Sequence, residues 1–454
     1  MRPKAVVLAV AGLDPSGGAG LAADVKALAA LGIYCAPVVA AITVQDTRGV
    51  KDVRPVKAEL LRAQAETAVR DLGIRWAKVG VLYSAENFRV MAELAQEHGL
   101  KLVMDPVLRA GTGQPLVEGP EGLRALKERL LPLAFAITPN AREAELLSGV
   151  PVKSLKDAEE AARRLAELGP EVVVVKGGHL SGQKAVDLLY HEGHVHLFPR
   201  ERLPADAHGS GCAFSSALAG YLALGREVPE AVRLAGELAW RAIRWPLQVG
   251  SGRPVADPMA VLAREAERFE VLAEVRKAVE LLEAEPGLAF FAPEVGTQVA
   301  MATSRPEGPE DVAAVEGRLV KARGRLRAAG PVWFGASDHM ARLVLAAMRY
   351  DPGKRAAMNL RYDPRLVEAL KRMGLSVASF DRASEPPEVA AREGATLPWA
   401  VESTVRACGG RVPDVIYDLG GPGKEPMVRL LGRTATEVAE RAVETVRMAL
   451  REEV

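Results

Sequence analysis

Val6-Val7-Leu8-Ala9-Val10-Ala11-Gly12-Leu13-Asp14-Pro15-Ser16-Gly17-Gly18-Ala19-Gly20 is the stretch whose reading decides the fold. Residues 4–10 end in an apolar run of the kind expected of a strand covered on both faces. The glycine loop after it leads into Leu21-Ala22-Ala23-Asp24-Val25-Lys26-Ala27-Leu28-Ala29-Ala30-Leu31, a helix pattern that stops at Gly32. Strand, glycine loop and helix in that order open a parallel α/β unit whose loop faces a ligand. The glycine spacing is neither the dinucleotide Gly-x-Gly-x-x-Gly nor a phosphate loop closing on Gly-Lys-Ser/Thr, which argues against a nicotinamide enzyme.

Outward from that stretch, strand patterns at 36–43, 76–81, 101–105, 133–138 and 172–175 alternate with helix patterns at 57–72, 85–98, 141–147 and 156–168. The strands are continuous apolar runs, so a doubly wound, mostly parallel sheet with its site at the carboxyl ends is expected. Polar residues gather at those ends: Gln45, Asp105, Asn140 with Glu143, and Lys176. Asp105-Pro106 and Pro139-Asn140 are each ordinary turn chemistry taken alone. Together with a second glycine loop, His208-Gly209-Ser210-Gly211-Cys212, they read as one site. That loop runs straight into a helix whose first N–H groups suit a phosphate. Cys212 in the first turn would have its thiolate favoured by the helix terminus.

The composition excludes several classes. With 454 residues, 49% hydrophobic and 26% charged, the chain fits a soluble protein of two or three domains. Lys and Arg number 59 against 58 acidic residues, so nothing points to a nucleic-acid or membrane surface. Three cysteines without paired spacing fit a reducing cytoplasm and give no metal-knuckle signal. The first residues read as a strand rather than a signal peptide, and no apolar run is long enough to span a membrane.

Residues 259–285 are strongly helical, with Val271, Val275, Val279 and Leu282 at helical spacing for docking on a second domain. The seam falls at about 257–264, giving domains 1–258 and 259–454. Strands are expected at 331–336, 357–360, 376–380 and 414–417. Helices are expected from Ser337 as N-cap, at 364–373 with Pro364 first, at 398–408 and at 437–450. This predicts a smaller α/β domain. His339 stands at a strand-to-helix turn with Arg318 upstream; a lone His there is as readily a cap or a surface residue.

Gly12, Asp14-Pro15-Ser16-Gly17-Gly18-Ala19-Gly20, Asp24, Gln45, Asp105-Pro106-Val107, Asn140-x-x-Glu143, Lys176-Gly177-Gly178-His179 and the Gly209–Cys212 loop occur in an order that resembles the hydroxymethylpyrimidine/phosphomethylpyrimidine kinases of thiamin biosynthesis, members of the ribokinase-like superfamily. The resemblance runs to Gly250-x-Gly252-Arg253-Pro254. It implies that Gly12, Asp24, Gln45 and Val107 bind the aminopyrimidine and that Asn140 and Glu143 organise Mg2+ and ATP, with Asp105 a further metal candidate. It implies that Lys176 approaches the phosphates, that Gly209 and Gly211 form an anion hole, and that Cys212 is the base. Asp46, where Asn is usual, is a departure that could alter pyrimidine preference. Pyridoxal-type kinases share the fold and are an alternative.

Pro293-Glu294-Val295, Glu316-Gly317-Arg318, Phe334-Gly335-Ala336-Ser337-x-His339, Ala357-Met358-Asn359, Ala378-Ser379-Phe380-Asp381-Arg382 and Gly423-Lys424-Glu425-Pro426 resemble the non-barrel thiamin-phosphate synthase domain often fused behind this kinase. This implies Arg318 and His339 as the catalytic pair acting on a diphosphate leaving group, with thiazole phosphate as co-substrate. Gln298, in place of an expected Asn, makes its ligand contact less certain. The alternative is a non-catalytic domain that senses thiamin phosphate. The family further implies a cytoplasmic homodimer working on small molecules.

Overall fold

The computed structural model describes residues 3–179, 182–204 and 207–451. The chain divides into two compact units, 1–262 and 263–454, with the division inside the helix Ala260–Ala284.

The first unit is built on nine strands: β1 (Val6–Leu13), β2 (Tyr34–Asp46), β3 (Gly49–Pro55), β4 (Trp76–Val79), β5 (Lys101–Met104), β6 (Ala134–Ile137), β7 (Val172–Val175), β8 (Lys184–His191) and β9 (His194–Glu201). They lie in the order β3-β2-β1-β4-β5-β6-β7-β8-β9. The pairs from β2 to β7 are parallel, and β3, β8 and β9 add antiparallel edges. The central strands are apolar because helices cover both faces. Leu8 and Val10 point into one fully buried cluster and Val7 into another, the period-2 alternation of a strand. From β1 the chain goes first to β2 on one side and later to β4 on the other. That reversal opens a crevice at the carboxyl ends of β1 and β4, where a doubly wound sheet binds its ligand. The edge strands escape a sequence reading because their burial is partial and mixed: β9 has no fully buried residue.

The second unit carries β10 (Val299–Ala302), β11 (Val312–Val315), β12 (Leu319–Ala322), β13 (Arg325–Ala328), β14 (Val332–Phe334), β15 (Ala356–Arg361), β16 (Val377–Ser379), β17 (Val415–Asp418) and β18 (Met427–Gly432). Seven form a sheet in the order β14-β11-β10-β15-β18-β17-β16, with β12 and β13 a separate hairpin. Strand and helix alternate only from β14 to β17: β10–β14 follow one another with no α-helix between them, β17 leads directly to β18, and the sheet is antiparallel except for β16 beside β17. One face is packed by the helices Ala260–Ala284, Pro364–Arg372 and Ala435–Arg451, and Val271, Val275, Val279 and Leu282 all enter that core. The other face is covered by Asp338–Met348 and Thr396–Ala407. Ser337 caps its helix by accepting from Met340 N, and Pro364 occupies the first turn of its own.

Candidate active sites

In the first unit a cavity of about 220 Å³ opens at the crevice between β1 and β4. Gly12, Gln45, Val107, Asp105, Asn140, Glu143, Lys176, Gly209, Gly211 and Cys212 all line it, so residues scattered over 200 positions converge. Each arrives at the end of a strand or the start of a helix. Asn140 caps the helix Ala141–Ser148 in a reciprocal box, accepting from Glu143 N (2.9 Å) while Glu143 Oε2 accepts from Asn140 N (2.8 Å). Gly209 has φ +88°, and a Cβ there would lie 1.9 Å from Gly18 O. The two glycine loops therefore interlock backbone to backbone, which only glycine permits.

Lys176 Nζ donates to Asp105 Oδ1 at 2.7 Å, and Thr138 donates to the same oxygen at 3.3 Å. Asp105 Oδ2 turns toward Gly211, 3.4 Å from where a Cβ would stand. Burial opposes the charge on Lys176, but Asp105 and Glu143 beside it hold its pKa above the ordinary value. Burial pushes Glu143 up to about 7, with Lys176 pulling the other way and Asp105 adding to the rise.

Two expectations are corrected. Asp24 is not on the cavity wall: it is fully buried, paired with Lys78 and accepting from Ser216 Oγ at 2.8 Å, so it supports the site from behind. Cys212 does lie in the first turn, but burial pushes its thiol up to about 11, with Lys78 drawing it down and Asp24 and Asp105 pushing it further up. Loss of solvation outweighs the helix terminus, and the resting thiol is neutral. Asp46 pairs with Lys51 (3.0 Å) and Arg48 (3.3 Å) in the β2–β3 hairpin and is absent from the cavity lining, so the departure there does not reach the pocket.

Sequence reasoning missed Lys78, which lines the cavity, although a lysine inside an apolar strand is itself a signal. It also gave His208 no role. Gln45 Nε2 lies 2.8 Å from His208 Nε2, and the same ring nitrogen is 3.4 Å from Asp14 Oδ2. A second cavity of about 240 Å³ shares Asn140, Lys176, Ser210 and Gly211 with the first and extends to Phe214 and Trp240.

The second unit has its own cavity of about 240 Å³, lined by Arg318, His339, Arg382, Arg429, Lys424 and Gln298 among others. Arg318 follows Gly317 in a turn and holds φ +72°, a left-handed conformation that costs a non-glycine residue about 1–2 kcal/mol. Its guanidinium donates to Val295 O at 2.6 Å. His339 is exposed at the mouth; loss of water on its cavity side, then Arg429, Arg318 and Arg382, push it down to about 4. Asp418 accepts from Arg382 Nε (2.6 Å) and Arg429 Nη1 (2.7 Å). Gln298 spends its amide on Val315, donating to the carbonyl (2.7 Å) and accepting from the N–H (3.0 Å), so this departure is absorbed into the β10–β11 pairing. Arg382 and Lys424 lie within the sequence stretches that carry the synthase resemblance, and Arg429 does not. None of the three was assigned a role.

Four cations around one histidine, with a single fully buried carboxylate among them, make a site for a polyanion. Among the described residues no helix is long and apolar enough to cross a membrane.

Residues 14–257 match the phosphomethylpyrimidine kinase family, and residues 274–444 match a family described as thiamine-phosphate synthase ThiN. The chain is 30% identical to the bifunctional thiamine biosynthesis protein ThiDN of Methanocaldococcus jannaschii, over 96% of this chain and 97% of that one. It is 40% identical to a hydroxymethylpyrimidine/phosphomethylpyrimidine kinase of Rhizobium meliloti, over 55% of this chain and 95% of that one. Among solved structures, an ADP complex of Bacillus subtilis pyridoxal kinase is 33% identical with a TM-score of 0.53, covering 57% of this chain and 99% of that one. A Staphylococcus aureus pyridoxal kinase with pyridoxal is 31% identical with a TM-score of 0.53, covering 57% and 94%.

Proposed function

The chain belongs to the phosphomethylpyrimidine kinase family and carries a thiamine-phosphate synthase unit behind it, and on that premise we propose how each cavity performs its step. The enzyme is bifunctional, with ATP as phosphoryl donor in the first unit. The observation that carries the kinase reading is the pair of contiguous cavities sharing Asn140, Lys176, Ser210 and Gly211. The acceptor, 4-amino-5-hydroxymethyl-2-methylpyrimidine, occupies the first, with the Gln45 amide on its aminopyrimidine edge and Gly12 and Val107 against the ring. Adenine occupies the second beside Phe214 and Trp240. The phosphates then cross the shared wall, where Lys176 and the Gly209–Gly211 backbone N–H groups offset charge on the transferring group.

Asp105 keeps Oδ2 turned toward that wall and Glu143 supplies a second carboxylate, a sparse donor set that suits a magnesium ion held mainly by phosphates and water. When bound, such an ion supplies positive charge to the transferring phosphoryl group. The acceptor hydroxyl loses its proton late, to an oxygen of the phosphoryl group it is joining, because a loose transition state asks little of a base. A neutral Cys212 beside the acceptor is compatible with that. In the second turnover the acceptor is already a phosphate and brings its own negative oxygen.

In the second unit the pyrimidine diphosphate sits with its leaving group among Arg318, Arg382, Arg429 and Lys424. The methylene C–O bond breaks with its electron pair leaving on diphosphate. The thiazole nitrogen of 4-methyl-5-(2-phosphooxyethyl)thiazole then closes the new C–N bond, giving thiamine phosphate. His339, neutral at pH 7, donates one hydrogen bond to the departing oxygens.

Two full-length variants test this together. Lys176→Ala should stop diphosphate formation yet turn over supplied diphosphate with thiazole phosphate; Arg318→Ala should do the reverse. If either variant loses both activities while remaining folded, the assignment of one step to each cavity is wrong. Pyridoxine run in competition against the hydroxymethylpyrimidine checks the substrate of the first step.

A further inference from the structure

Asp418 ends β17 with no exposure to solvent, and it holds two guanidiniums at once. Arg382 donates through Nε (2.6 Å) and Nη2 (3.4 Å), Arg429 through Nη1 (2.7 Å), and Gly420 N adds a backbone bond at 3.0 Å. The aromatic ring of Phe380 lies 5.6 Å from one guanidinium carbon and 5.9 Å from the other. Two like charges are thus locked side by side, an arrangement they would not hold without the carboxylate between them. Each guanidinium has five N–H donors, and among the described residues neither has another acceptor. Both line the cavity that contains Arg318 and His339, while Arg318 is anchored separately on Val295 O. One phosphoryl group needs only one such fork; two forks fixed together, plus a third held elsewhere, match an anion with two phosphoryl groups.

We propose that Asp418 sets up the synthase step without touching the substrate: it yokes Arg382 and Arg429 so that both forks face the outer phosphoryl group of the diphosphate together. Asp418 is a positioning residue: it touches no substrate and acts by aiming the two arginines. This rests on the reading of the cavity as a diphosphate site.

The test uses the full-length chain with ADP saturating, so that the first unit does not contribute, and titrates inorganic pyrophosphate and inorganic phosphate by calorimetry. Wild type should prefer pyrophosphate. Asp418→Asn removes a negative charge, so a purely electrostatic role would tighten both anions. Positioning predicts instead that pyrophosphate weakens by about tenfold or more while phosphate moves by less than about threefold, since only bidentate geometry is lost. Pyrophosphate binding unchanged or tighter in a folded Asp418→Asn overturns the yoke, as does an equal loss of both anions. Should Asp418→Asn fail to fold, Arg382→Lys keeps the charge but not the fork and must show the same selective loss. If wild type itself shows no preference for pyrophosphate, the diphosphate reading of the cavity fails and takes the yoke with it.

Discussion

Lys78 Nζ lies 2.7 Å from Asp24 Oδ1 with neither side chain open to bulk solvent, yet Lys78 lines the kinase cavity. Asp24 also accepts from Ser216, and its Oδ2 has no partner. Burial works against the lysine's charge, but Asp24 and Asp105 facing it hold its pKa above the ordinary value. The pair therefore delivers a fixed positive charge to the floor of the acceptor pocket. Gly80 makes room for it, since a Cβ there would stand 3.0 Å from Nζ.

Breaking that pair should be costly, and mending it should separate stability from catalysis. Asp24→Asn leaves a buried cation without its counter-charge and should destabilise the first unit by about 3–5 kcal/mol. The double variant Lys78→Met/Asp24→Asn should recover most of that stability in thermal unfolding while kinase activity stays lost. Kinase activity that returns with stability would show the lysine to be scaffolding alone.

Gly211 gives the opposite signature. It is helical, so Ala there should stabilise the helix by up to about 1 kcal/mol. Its Cβ would stand 3.1 Å from Lys176 Nζ and 3.4 Å from Asp105 Oδ2, in the space assigned to the phosphoryl group. Gly211→Ala should therefore keep or raise the unfolding temperature and lower kinase kcat by about 10²-fold or more, the scale of a lost oxyanion contact. Synthase turnover of supplied diphosphate should be unchanged.

Much of this was legible in the sequence because a parallel sheet places its chemistry at strand ends. Gln45, Asp105, Asn140 and Lys176 each come after an apolar run, and the run tells where the side chain arrives. Residues without such a run before them were harder to place. Val299–Ala302 and Val312–Val315 are four-residue strands rich in alanine, with weak β-propensity, and their burial comes from helices far along the chain. Asp24 sits in the right motif, but only the fold shows Lys78 facing it and pulling it off the cavity wall. Arg429 belongs to β18, where nothing in the local pattern marks it; it becomes a site residue through Asp418, eleven positions earlier.

Glu143 and Cys212 can be told apart by pH. With Glu143 held up to about 7 by burial, its carboxyl charges only as pH rises through neutrality. Its folded pKa lies above the unfolded one, so its stabilising contribution is complete below about pH 4.5 and is lost as pH rises through about 7. Kinase kcat/KM should show an acid limb near pH 7 that Glu143→Gln flattens at a lower plateau. Cys212→Ser should leave the limb where it is, because a thiol near 11 does not titrate there. A limb that vanishes in Cys212→Ser would restore the cysteine as the titrating base.

His339 should behave the other way round. It is one of seven histidines in the chain, so its ring signal in a proton NMR titration is assigned as the one that disappears in His339→Gln. Loss of water on its cavity side and three arginines hold its pKa down at about 4, below the unfolded value near 6.5. Its contribution to stability is then present above about pH 6.5 and is lost as pH falls through about 4. In the free enzyme the ring should stay neutral across the range where an ordinary histidine titrates, and synthase kcat/KM should show no limb from it near 6.5. Pyrophosphate brings negative charge against the same ring and should move its midpoint upward. His339→Gln keeps a hydrogen-bond donor and should lose less synthase activity than His339→Ala, for which a loss of about 10²–10⁴-fold is expected if the ring also moves a proton. A free-enzyme midpoint at the ordinary histidine value would mean that Arg318, Arg382 and Arg429 do not converge on this ring, and the synthase geometry drawn from them would fall.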